Sequence, residues 1–290
     1  MYPSYHRGLS GGTVGWPECA PLAAKTGFPA CDIWLEAAMH AGLDSTLETL
    51  RANRLLPAAA DMPIDFRGTE QTFLSTLPGL DAMAHFAAQI DCPRMTARLD
   101  PSGPLPKPAW RKIQLRRLRA VVEILARHNV RLALEFVGSA DIRRWQPHEF
   151  IWHMDETLEL LYEIGPNAGL LLDSWHWHYS NGTTSDIRAA RDRIVHVHIN
   201  DAPEQPFDQV IDKERLMPGE GVIDLTGFLT TLQDIGYTGA VSVEVFATRL
   251  KSLPPEIGAK QGYDATMAIL EKGEKGHEKG DRHLYLDQRT

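Results

Sequence analysis

Short, nearly continuous apolar runs alternate along the chain with longer segments in which apolar residues recur every three or four positions. The short runs cover residues 5–9, 32–35, 56–60, 94–99, 132–137, 169–173, 194–199 and 240–246, and they predict strands. The last four contain LALEFV, GLLLD, IVHVHI and AVSVEVF. Their branched aliphatics are close to unbroken, which is how a strand buried on both faces reads. The longer segments predict helices over 69–89, 110–129, 147–164, 225–235 and 255–270. Within the second of these, Ile113, Leu118, Val121, Val122 and Leu125 form one apolar stripe with Arg and Lys opposite. Asp224 offers an N-cap, and Gly165-Pro166 and Gly236 offer stops.

Eight strand–helix alternations without a break in composition predict an α/β fold, a (β/α)8 TIM barrel in a single domain over residues 1–271. The competitor is a doubly wound open sheet, which wants a glycine-rich phosphate turn after its first strand. Gly8-Leu-Ser-Gly-Gly-Thr-Val-Gly is glycine-rich but has neither the GxGxxG nor the P-loop spacing. Residues 272–290 are charged and glycine-punctuated. They predict a partly disordered tail, or an arm that docks Leu284-Tyr285-Leu286 on a neighbouring subunit of a homo-oligomer.

Charge narrows the function. The 290 residues carry 30 Lys plus Arg against 38 Asp plus Glu, a net charge of −8, so the expected partner is a small molecule and not a nucleic acid. Cys19, Cys31 and Cys92 are too scattered for a disulfide framework or a metal motif and read as free thiols. No apolar run reaches the length of a membrane span, and the N-terminal dozen residues do not resemble a leader. A cytoplasmic protein without a membrane partner is expected.

Four ionisable side chains interrupt the four clearest strands: Glu135, Asp173, His198 and Glu244. Alone, each would read as a structural ion pair, since a buried carboxylate needs a partner or a metal. Four on successive strands converge at the C-terminal mouth of a barrel, where such folds keep their sites. Three carboxylates and one imidazole favour Mn²⁺, Mg²⁺ or Co²⁺, and admit Zn²⁺. In the absence of a redox signature or a Ser/His/Asp arrangement, the expected chemistry is proton movement beside a carbonyl. His176 lies three residues past Asp173, placed to touch substrate, and Arg215 stands in the loop between the last two strands as a substrate ligand or a solvated arginine. His178 reads equally as pocket wall or loop packing, and His196 as a hydrogen-bonded core residue on the helix side of its strand. His6, Trp16 and residues 61–67 and 98–104 are expected to shape the pocket.

At Leu132–Gly138, Leu170–His178, His196–Ala202, Arg215–Leu225 and Ser242–Phe246 the chain resembles the xylose-isomerase-like barrel superfamily of sugar isomerases and epimerases, with the inosose isomerases as its nearest pattern. The resemblance implies that Glu135, Asp173, His198 and Glu244 bind one divalent metal ion. It implies further that Glu135 and Glu244 exchange the proton through a metal-stabilised cis-enediolate, and that His176 and Arg215 hold oxygens of a sugar or cyclitol ketone. A hydride shift is the second route. A 3-dehydroshikimate dehydratase would use the same ligand set to eliminate water. The apurinic-site endonucleases share the barrel but need extra histidines, one of them where this chain has Asp212-Lys-Glu-Arg215.

Overall fold

The computed structural model of the chain describes residues 1–246 and 248–286, with side chains as far as Gly273. Eight parallel strands close into a barrel: β1 (Tyr2–Tyr5), β2 (Ala30–Ile33), β3 (Leu56–Asp61), β4 (Arg94–Leu99), β5 (Arg131–Phe136), β6 (Ala168–Asp173), β7 (Ile194–Ile199) and β8 (Ala240–Val243). Each pairs with its neighbours in chain order, and β8 closes on β1. The expected TIM barrel is therefore the observed fold.

Strand periodicity separates two environments. Leu132, Leu134 and Phe136 of β5 join the large core between strands and helices, while Ala133 belongs to a small interior cluster with Leu171 and Val195. Residues two apart share a face, so β5 turns Ala133 and then Glu135 toward the barrel axis. Pairing sets the levels: Asp173 lies opposite His198, and His198 opposite Ser242.

Several boundaries differ from the sequence reading. The first strand is Tyr2–Tyr5, and residues Arg7–Ser10 form a 3-10 turn that His6 caps by accepting from Gly8 N. Leu35 opens a helix instead of ending β2. The helix expected over 69–89 is divided by a 3-10 turn at Leu77–Gly79, where Pro78 stands. The helix expected from Pro147 begins at Met154, because His148–Glu149 pairs with Ser102–Gly103. The last helix runs from Pro255 to Leu286, so its backbone continues through most of the segment read as a separate tail. Residues 287–290, and the side chains of Leu284, Tyr285 and Leu286 proposed for docking, lie outside the described residues. No helix among those described is long and apolar enough to cross a membrane.

Candidate functional site

Glu135 in β5, Asp173 at the end of β6, His198 in β7 and Glu244 just past β8 meet at the mouth. Each offers one ligand atom, all four atoms lie within 4.8 Å of one another, and all four residues are buried. His198 Nδ1 is the hub, 3.2 Å from Glu244 Oε2, 3.7 Å from Glu135 Oε1 and 3.8 Å from Asp173 Oδ2. Glu135 Oε1 and His198 Nδ1 are buried without a hydrogen-bond partner.

The electrostatics follow from this crowding. Burial raises the Glu135 pKa, and the neighbouring charge of Glu244 raises it further. Burial also opposes ionisation of Glu244, but His198 and Arg215 outweigh it and hold that carboxyl well below the usual range. Burial alone would deprotonate His198, yet Glu244 and Glu135 hold its imidazole well above the usual range. The carboxylates thus gather positive charge from whatever is at hand. Oxygen donors and one imidazole that converge and demand positive charge, two of them without a hydrogen-bond partner, fit a small divalent cation.

Local structure fixes each donor. Asp173 Oδ1 caps the short helix Ser174–Tyr179, accepting from Trp175 N at 2.7 Å and His176 N at 3.3 Å, which leaves Oδ2 for the site. Asn200 Nδ2 donates to Asp173 Oδ2 at 3.1 Å. Gly138 lets the loop after β5 approach that helix, since a Cβ there would stand 2.7 Å from His176 O. His176 is buried, with Nε2 3.2 Å from Arg215 Nη2. Arg215 is a buried cation and not a solvated loop residue: Nη1 donates to Glu244 Oε2 at 2.6 Å and Asp173 Oδ2 at 3.0 Å, and Nη2 to Asp212 Oδ1 at 3.0 Å. His178 packs on Tyr179 within the same short helix.

Three supports escaped the sequence reading. Asp201 clamps the loop that carries Arg215: its Oδ2 accepts from Gly219 N and Gly221 N and its Oδ1 from Ile223 N, each at 2.9 Å. Asn200, next to it, ties β7 to Asp173. Asp32 lies beside His196 and His198, and the three form a second group with metal-ligand spacing. The signal was available, for Asp32 interrupts Ala30-Cys31-Ile33 as Glu135 interrupts β5. His196 also needs correction. It stands two residues before His198 in the same strand, so it faces the interior with it and not the helices, its ring 5.1 Å from that of His198. It is a buried, hydrogen-bonded residue as expected, with Nε2 3.1 Å from Ser242 Oγ.

The first-half residues complete the pocket. One lobe, of about 180 Å³, is lined by His6, Arg7, Trp16, Trp34 and Asp61 together with His198 and Glu244. A second, of about 390 Å³, brings in Arg67 and Arg98 with Glu135, His176 and Arg215. His6 Nε2 stands 3.5 Å from Glu244 Oε1.

Comparisons with known proteins place the chain among relatives of the same fold. The chain is 27% identical over 237 residues to the inosose isomerase of Halalkalibacterium halodurans, covering 79% of this chain and 82% of that one. It superimposes on a xylose isomerase domain protein from Alicyclobacillus acidocaldarius with a TM-score of 0.86 at 28% identity, over 94% of this chain and 99% of that one. The fold is shared with an IOLI protein solved with a zinc atom bound, at a TM-score of 0.82 and 23% identity, over 94% of this chain and 99% of that one. The profile of the xylose isomerase-like TIM barrel matches residues 21–272, and the chain belongs to that family.

Proposed function

We propose that this chain is a sugar or cyclitol-ketone isomerase or epimerase that depends on one divalent metal ion, with an inosose as the first substrate to try. The carrying observation is the convergence of Glu135, Asp173, His198 and Glu244 at an open pocket of small-molecule size. The identity to an inosose isomerase over most of the chain supports the same reading. The four residues would hold the ion, which when bound supplies charge stabilisation to adjacent carbonyl and hydroxyl oxygens. Mn²⁺, Mg²⁺ and Co²⁺ suit the donor set first, and Zn²⁺ also.

The two glutamates divide the proton transfer. Arg215 bonds Glu244 and not Glu135, an asymmetry that suits a base and an acid. Glu244, held ionised, takes the proton from the carbon that bears the hydroxyl, using Oε1, the oxygen not bonded to Arg215. The product is a cis-enediolate. Glu135 returns a proton: at the neighbouring carbon, with the hydroxyl proton passing from the original oxygen to the former carbonyl oxygen, it moves the carbonyl, and at the original carbon on the opposite face it inverts the centre. Arg215 keeps Glu244 charged and, with His176, meets the substrate oxygens from the pocket wall. The acidic charge balance and the three free buried thiols support a cytoplasmic enzyme with no nucleic-acid partner.

The test is incubation of metal-reconstituted protein in D₂O with inosose and, separately, 3-dehydroshikimate. Deuterium entering beside the inosose carbonyl without loss of water is the expected result. An aromatic absorbance from 3-dehydroshikimate would make the chain a lyase instead. No exchange on either, with or without Mn²⁺, sinks both. Glu244→Gln is expected to slow exchange by roughly 10²–10⁴-fold with far-UV circular dichroism unchanged.

A further inference from the structure

Beneath the candidate metal centre, the first two and last two strands are joined by a buried polar network. Ser242 Oγ donates to Asp32 Oδ1 at 2.8 Å, and Ser4 Oγ donates to the same oxygen at 3.2 Å. A serine has one hydroxyl proton, and Ser242 has given its own to Asp32. Toward His196 it therefore accepts, so His196 carries its proton on Nε2, 3.1 Å away. With two donors on Oδ1, Asp32 has Oδ2 left over, and that oxygen faces His198 Nε2 at 4.0 Å. On the far side of the same ring, Nδ1 points at Glu135, Asp173 and Glu244.

We infer that Asp32 is a positioning residue for the metal centre: once an ion takes the Nδ1 side of His198, the Asp32 carboxylate, with Oδ2 4.0 Å from Nε2, stabilises the N–H left on that side of the ring and so the orientation in which Nδ1 is the ligand. The inference rests on the metal reading above. The chemistry is that of a ring whose two nitrogens must take different roles. A carboxylate beside one nitrogen stabilises the N–H there and leaves the other as the ligand. The two serines hold that carboxylate in place, and their contacts explain why it is Oδ2 that remains open. The same contacts argue against a second ion between Asp32, His196 and His198, since Asp32 Oδ1 and His196 Nε2 are already engaged.

The experiment titrates Co²⁺ into metal-free full-length protein and follows affinity, stoichiometry and the exchangeable imidazole N–H resonance of the Co²⁺-bound histidine. Asp32→Asn keeps an oxygen for the serines but turns an amide N–H toward His198, which favours the wrong tautomer. The expected result is one Co²⁺ per wild-type chain, about 10–100-fold weaker binding in Asp32→Asn, loss of the N–H resonance, and a metal-free melting temperature within about 2 °C of wild type. Ser242→Ala, which removes one of the two serine donors, should weaken Co²⁺ severalfold, and it carries the test if Asp32→Asn does not fold. Co²⁺ bound equally tightly by wild type and variants overturns this inference and leaves the metal reading standing. So does weaker binding with the N–H resonance intact, which would make the network merely structural. Two Co²⁺ ions in wild type and one in Asp32→Asn would make Asp32 a ligand and overturn it too. A wild type that binds no Co²⁺ removes the metal reading and the inference together.

Discussion

On the side of the mouth formed by β5–β8, Glu135, Asp173, His198 and Glu244 are buried and share a space less than 5 Å across, locked by Arg215. On the side formed by β1–β4, the pocket is faced by Arg7, which is exposed and lies 4.6 Å over the ring of Trp34, itself 38% exposed. Buried charges must satisfy one another, so Asp173 and Glu244 in the second half are each held by several contacts at once. Exposed aromatic and basic groups on turns carry no such obligation. One side of the pocket is therefore built for chemistry that tolerates no displacement, and the other is free to match the outline of a substrate.

Arg215→Met tests the rigid side and has the largest expected effect on stability. The guanidinium touches Asp173, Asp212 and Glu244, and its loss leaves buried carboxylates unpaired. Breaking such a pair from one side costs about 3–5 kcal/mol, to be read from urea denaturation. Mn²⁺ should restore part of the loss, since it returns positive charge to the same oxygens. A variant as stable as wild type without metal would mean that the carboxylates are not held as described.

These differences in construction also explain what the sequence disclosed. β7 agrees with its apolar run to the residue, and β5 and β6 to within one, because strands buried on both sides are almost unbroken and their polar interruptions stand out. Glu135, Asp173 and His198 were found that way. β1, with the sequence YPSY, turns Ser4 inward and offers no apolar run, so the reading slid forward into the 3-10 turn. In β2 the same slide made Asp32 a first residue instead of an interior one, and its carboxylate was lost from the count. The error on His196 was one of parity, not of pattern. Asp201 and Asn200 were quoted within a motif, but Asp201 acts through backbone amides of a distant loop, from Gly219 to Ile223, and Asn200 through Asp173 on the neighbouring strand, partners that no local spacing announces.

The permissive side is tested by Arg7→Ala. If the exposed groups on this side serve recognition alone, KM for the substrate found in the D₂O screen should rise about tenfold while kcat stays near wild type. A fall in kcat of the same size would join Arg7 to the chemical step, and the contrast between the two sides would fail there.

The smallest effect sharpens the same contrast through pH. Asp61 lines the permissive lobe, and its Oδ1 accepts from Leu35 N at 2.8 Å. Burial raises its pKa, and the Leu35 N–H and the Arg7 charge offset that only in part. In the unfolded chain an aspartate ionises near pH 4. In the folded chain Asp61 keeps its proton to higher pH, so across that window the folded state binds more protons than the unfolded one. Stability contributed by this residue is therefore full below the unfolded pKa and declines as pH rises through the folded one. Asp61→Asn keeps an oxygen for Leu35 N–H and cannot ionise. The variant should melt with wild type at pH 3.5 and about 1–2 °C above it at pH 7, the gap opening between. A gap that is constant across that range would assign the effect to packing. A variant that melts lower at pH 7 would mean that the attraction to Arg7 outweighs burial, and that this side of the mouth, too, is held together by its charges.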